Sequence, residues 1–248
     1  MLLMIAIAAT LQAAPIYDYR RSNQDGSEAE RILVFLPDPT HVEVVKTRER
    51  CTSAAYVTAT MAPDRTYAAE LVAGRLERDA VQRKIGVLDY DAATSTIRVT
   101  IDGLPKPETL TITPGPWHLF DYDLASLTAA LAGRTPPATL KFALPLVWNG
   151  EPPLLRDLGV VTANRVRSER FEGRAAVRYQ VRGSGAFKGG PLWLDAASGV
   201  VLGADWRSPN HAEYRDFRLR LRDVHGGGAA TWKRMLNSHF AGCPAKAD

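Results

Sequence analysis

The sequence predicts an α+β protein dominated by strands: a large, curved, half-barrel-like antiparallel sheet with two or three short helices covering one face. Three observations predict it. Apolar and polar residues alternate with period two over most of the chain. Short turn-forming dipeptides separate the alternating runs. Only two stretches place apolar residues at helical spacing.

The alternation is cleanest late in the chain. Over Arg174 to Arg182, Ala175, Val177, Tyr179 and Val181 fall on one face, with Arg174, Arg178, Gln180 and Arg182 on the other. Over Asp216 to Arg222, Phe217, Leu219 and Leu221 oppose Asp216, Arg218, Arg220 and Arg222. Ile97, Val99 and Ile101 alternate with Arg98 and Thr100. Further strands are expected at 31–36, 42–47, 56–61, 66–72, 85–90, 109–113, 140–147, 160–166, 192–195 and 200–206. Turns follow at Asp25-Gly26, Pro37-Asp38-Pro39, Asp102-Gly103, Glu172-Gly173, Gly189-Gly190-Pro191 and Gly226-Gly227-Gly228. Such a meander has one wet face and one covered face.

The first helix is expected over 121–133, where Leu124, Leu127 and Leu131 share a face. Asp121 or Asp123 suits its N-cap, and Gly133 suits the left-handed residue after its end. The second is expected over 229–240, carrying Trp232, Leu236 and Phe240. Pro136-Pro137 and Pro152-Pro153 read as rigid connectors. With no repeat of fixed period, residues 15–248 read as one β-rich domain, with a possible subdivision near 115.

Residues 1–14, MLLMIAIAATLQAA, are apolar and uncharged. The run is too short to span a bilayer, which takes about 20 apolar residues, and it suits a signal-peptide core ending in small residues. Export to the periplasm is the expectation, with no stable membrane insertion. Cys51 and Cys243 lie far apart with no second Cys near either, so zinc is not expected. In an oxidising compartment the two can pair.

With 31 Lys and Arg against 27 Asp and Glu, a net charge of +4 is too mild to argue for nucleic acid. Enzyme motifs are missing: there is no Gly-x-Ser-x-Gly elbow, no His-Glu-x-x-His and no phosphate-cradling glycine loop. Of the five histidines, His118 lies nearest to carboxylates, Asp121 and Asp123. That cluster reads as an acidic helix start beside a loop histidine, or as a general base tuned by a carboxylate.

From about residue 117 to 222 the chain resembles a family of exported bacterial proteins described only as a domain of unknown function. Asp121-Tyr122-Asp123-Leu124-Ala125-Ser126-Leu127 is similar to that family's short Asp-x-x-Ser-Leu helix. Gly185 through Trp206 is similar to its hairpin, with Leu192-Trp193-Leu194-Asp195, the turn Ala196–Gly199 and the return Val200-Val201-Leu202. The resemblance implies a curved sheet like that of the periplasmic lipoprotein carriers, whose concave face holds acyl chains. It brings no catalytic residues.

The expected function is therefore non-enzymatic binding of a lipid or other apolar ligand, without a cofactor. Tyr179, Trp193, Trp206 and Phe217 are the candidate ligand contacts, and Arg178, Arg182, Arg218 and Arg220 the candidate contacts to an anionic head. Two alternatives stay open: the aromatics are plain core of an envelope module that binds a protein partner, and the arginines are a solvated face paired with Asp and Glu.

Overall fold

The computed structural model describes residues 14–244; the proposed leader, apart from Ala14, lies outside them. Fourteen strands form one antiparallel sheet: β1 (Ile16–Ser22), β2 (Glu30–Asp38), β3 (His41–Thr47), β4 (Ala55–Met61), β5 (Ala68–Leu76), β6 (Gln82–Asp91), β7 (Thr96–Ile101), β8 (Glu108–Thr111), β9 (Thr139–Val147), β10 (Leu155–Phe171), β11 (Arg174–Gly183), β12 (Pro191–Asp195), β13 (Val201–Trp206) and β14 (Phe217–His225). Their order is β8-β7-β6-β5-β4-β3-β2-β1-β14-β13-β12-β11-β10-β9. Two meanders are thus joined where β1 pairs with β14. The region near residue 115 is where the chain crosses from one edge of the sheet to the other.

The sheet is not closed, but its edges approach. Trp117 bridges Ala143 of β9, its N–H donates to Thr66 O at 3.1 Å, and Leu155 N–H reaches Glu108 Oε2 at 3.3 Å. Trp117 is fully buried there, with the Tyr90 ring 5.3 Å away.

Period-two patterning separates the faces. Tyr17, Tyr19, Ile32, Val34, Val42 and Val44 point inward to the main core; Ile16, Leu33, Phe35, Val45 and Tyr56 point outward to a second, smaller cluster. The helices divide between these faces instead of sharing one. A 3-10 turn (Phe120–Tyr122) and α1 (Ala125–Leu131) fill the concave side, every residue of α1 being buried. α2 (Gly228–Phe240) lies on the convex side, with Trp232 stacked on Phe35 at 5.4 Å. Alternation supplies inward residues to one side, but Ile16, Leu33, Phe35, Val45 and Tyr56 of β1 to β4 form an apolar patch on the other, which α2 covers.

The expected capping at 121–123 is replaced by another arrangement. Leu124, at φ +61°, precedes α1 without any side-chain cap. Asp121 instead accepts Val147 N–H at 2.9 Å, and Asp123 accepts Asn210 Nδ2 at 2.8 Å. Pairing with buried groups outweighs a cap, which contributes about 1 kcal/mol. Gly133 does take the left-handed conformation after the helix, at φ +74°.

Cys51 and Cys243 form a disulfide, Cα to Cα 5.5 Å. It ties the end of α2 to the turn after β3. No helix among the described residues is long and apolar enough to cross a membrane.

Candidate functional site: an apolar cleft with a charged end

Strands β4 to β7 set two inward rows side by side. Register aligns Ala59, Leu71, Leu88 and Val99 in one row, and Val57, Ala73, Gly86 and Ile101 in the next. The second row has small residues at its centre. Nothing larger is tolerated at Gly86, where a Cβ would lie 2.9 Å from Thr100 O. The step from Leu71 and Leu88 down to Ala73 and Gly86 leaves a cleft of about 180 Å³, closed on its other side by Leu119, Tyr122 and Val147. Ala55 is exposed and Val57, Ala73, Ile101 and Val147 only half-buried, so the cleft meets solvent.

Lys46, Asp121 and His211 are the polar members of its lining. Behind them lies a buried charge cluster. Lys46 Nζ is 2.5 Å from Asp123 Oδ2, and Arg21 Nε is 3.5 Å from Asp123 Oδ1. The Arg21 guanidinium also lies 3.2 Å from the Tyr214 ring centre, bonds Asn210 Oδ1 and is 3.6 Å from Glu30. Burial alone would raise the Asp123 pKa, but Lys46 and Arg21 outweigh it and hold the carboxylate below its usual range. Burial pushes Asp121 up to about 6, and raises Glu30 as well.

The sequence-named aromatics do not share one face. Tyr179, Trp206 and Phe217 are fully buried inside, Trp206 packing 5.3 Å from Phe120 and 5.1 Å from Phe187. Tyr179 donates its hydroxyl to Pro137 O at 2.5 Å. Trp193 points out, because Leu192 and Leu194 take the inward phase. It stacks on Phe171 at 4.2 Å and donates to Glu169 at 2.6 Å. None of the four lines the cleft.

The four arginines project from the convex face, on the opposite side of the sheet from the cleft, so none can hold the head of a ligand lying in it. Arg218 pairs with Asp205 at 3.2 Å; Arg220 pairs with Asp205 at 2.6 Å and Glu172 at 3.3 Å. Arg178 lies 5.8 Å from the Trp193 ring centre, and Arg182 is exposed.

His118 is drawn away from its sequence neighbours. Its ring packs edge-on against Phe142 at 5.0 Å, and no ion pair links it to Asp121 or Asp123 among the described residues. Burial drives its pKa down to about 3, so it folds as neutral imidazole. Unfolded, it takes a proton near 6.5, so the unfolded chain binds more protons as pH falls from 6.5 towards 3, and stability drops over that window. Urea midpoints at pH 7 and pH 5 check this. His118→Phe is expected to lose about 2 kcal/mol less than the parent between them; an equal loss would contradict the neutral buried state. His211, also lowered to about 3, acts in the same direction, while Asp121 and Glu30 oppose both.

The cleft and its cations were missed in the sequence, although the cations leave a signal. Lys46 shares the inward phase of Val42 and Val44, and Arg21 that of Tyr17 and Tyr19, and a cation in an apolar phase signals a buried partner. Nothing local says that the partner is Asp123, which is far from both in sequence. Compared with known proteins, the chain matches no protein family and none of the curated proteins.

Proposed function

We propose that this protein is a non-enzymatic binder of an apolar or amphiphilic ligand, whose chain lies in the cleft over Ala73 and Gly86 with its polar end towards Lys46, Asp121 and His211. The observation that carries the reading is the 180 Å³ apolar space in contact with solvent, built from small residues set among large ones. An engineered cavity of about 150 Å³ holds a benzene ring, so about six carbons fit here. Burying six methylenes contributes about 5 kcal/mol, a Kd on the order of 0.1–1 mM before ordering costs. A longer chain runs on over the half-exposed Ile101 and Val147.

Export to the periplasm, and kinship with the lipoprotein-carrier-like sheets, belong to the same proposal. The disulfide supports it, because such bonds persist in oxidising compartments, and so does the apolar run at 1–14. A packed, partner-binding envelope module is the second reading. It is favoured by the way the 3-10 turn and α1 fill the concave face beside the cleft.

Titration with N-phenylnaphthylamine, an uncharged fluorescent probe, and competition by dodecanoate separate the two. Saturable emission is expected from the parent. Ala73→Leu, which fills the cleft, is expected to weaken binding at least about tenfold while leaving the melting temperature unchanged or higher. Absence of saturable binding to the parent, or undiminished binding to the variant, would favour the packed module.

A further inference from the structure

A second depression lies at the far end of α1, between the 64–66 turn, the 135–139 connector and the start of β9. Its volume is about 370 Å³, and its lining holds Arg65, Arg134 and Lys141 but no carboxylate. Leu127, Leu131 and Phe142 make its apolar floor. None of the three cations forms an ion pair among the described residues, whereas Arg218 and Arg220 of the convex face are paired with acids. Asp64, next to Arg65, turns its carboxylate back to Thr66, accepting N–H at 3.1 Å and Oγ1–H at 2.9 Å. Arg65 donates one nitrogen to Ala132 O at 3.0 Å and Ala129 O at 3.3 Å, and Arg134 donates to Asp64 O at 3.0 Å. Those bonds aim the two guanidiniums without neutralising them.

Two features bear on what this arrangement could hold. Burial, and then the charge of Arg134, depress the Arg65 pKa, and Asp64, the nearest carboxylate, feels Arg134 only after its own bonds to Thr66. His118, only 3% exposed, lines the same groove, and its Nδ1 is buried without a hydrogen-bond partner. Buried polar atoms in folded proteins are nearly always paired.

We infer that this groove binds a phosphate group, held by Arg65, Arg134 and Lys141 above a floor that includes the neutral His118. Guanidinium forks match phosphate oxygens, and three cations suit a doubly charged phosphate better than a singly charged carboxylate. The apolar floor beside the cations also accommodates a short hydrocarbon attached to that phosphate. The site is separate from the β4–β7 cleft and does not depend on the reading given to it.

Calorimetric titration of the full chain with inorganic phosphate at low salt tests the inference, alongside sedimentation with phosphatidylcholine vesicles with and without phosphatidic acid. Binding of free phosphate alone identifies a soluble phosphate as the natural source. Binding of phosphatidic acid vesicles identifies a lipid headgroup. Arg134→Gln with Lys141→Gln, both exposed positions, is expected to weaken whichever binding is seen by about tenfold or more, with an unchanged circular dichroism spectrum. Ala73→Leu is expected to leave it intact. The inference is overturned if the parent binds neither probe, if the double variant binds as well as the parent, or if the cleft variant loses binding too.

Discussion

Asp123→Asn is expected to lower the unfolding free energy by about 3–5 kcal/mol, the range for removing one partner of a buried ion pair. The Asp123 side chain is fully buried between Lys46 and Arg21, and Arg21 is itself fully buried. An amide of the same shape removes the ion-pair partner of Lys46 and leaves Arg21 with only the more distant Glu30, at 3.6 Å. Asn is the appropriate replacement because Asp123 sits at φ +51°, a conformation that Asn adopts more readily than most residues. The loss therefore reports charge and not backbone strain. Urea unfolding at pH 7 measures it, with Asp38→Asn as control. Asp38 pairs with His41 at 2.8 Å with both side chains about half exposed, and its removal is expected to change stability by less than about 1 kcal/mol. Similar losses in the two variants would show that the buried cluster carries no special weight. The Asp123 contribution is present above the ordinary carboxylate range and disappears as pH falls through its lowered pKa.

Cys51→Ala with Cys243→Ala is expected to cost about 3–5 kcal/mol, or about 10 °C in melting temperature. The two cysteines are 192 residues apart, so the bond removes much of the freedom of the unfolded chain. It also has a local task. α2 is held to the convex face by Trp232, whose Nε1 donates to Glu43 at 2.6 Å, and by Cys51 N–H donating to His239 O at 3.2 Å. Without the bond, the clamp at the C-terminal end of α2 loses its covalent part. Hydrogen exchange is expected to show faster exchange in 228–240 than in β11 to β14. Unchanged melting and unchanged exchange would mean that packing alone holds the helix. The mass of the chain recovered from the envelope of a producing cell reads both the bond, as two hydrogens lost, and removal of residues 1–14.

Strand positions were legible wherever one phase is apolar and the other charged, as in β11 and β14. β1 was not, because Ile16, Tyr17, Tyr19, Arg20 and Arg21 show no clean alternation: its outward Ile16 is covered by the α2 cluster and its inward Arg21 is buried in an ion cluster. β10 runs to 17 residues, well past the expected 160–166, since Gly159 and the register shift near Arg165 and Arg167 let the strand bend without ending. The arginines of the convex face were legible as a row, and so was the possibility of acidic partners for them. Which side of the sheet they occupy relative to the cleft follows only from the inward phase of each neighbouring strand.

Local patterning thus determined the β-rich class, most strands, the 229–240 helix and the compatibility of the two cysteines, because each rests on residues close in sequence or on thiol chemistry alone. The cleft, the buried charge cluster and the cationic groove at the end of α1 depend on the curled sheet. They depend on register across β4 to β7, on Asp123 meeting Lys46 and Arg21, and on His118 turning from its sequence neighbours towards Phe142. Contacts of that range are set by how the inward faces fill a shared volume, and period-two alternation says which residues face inward without saying what they meet.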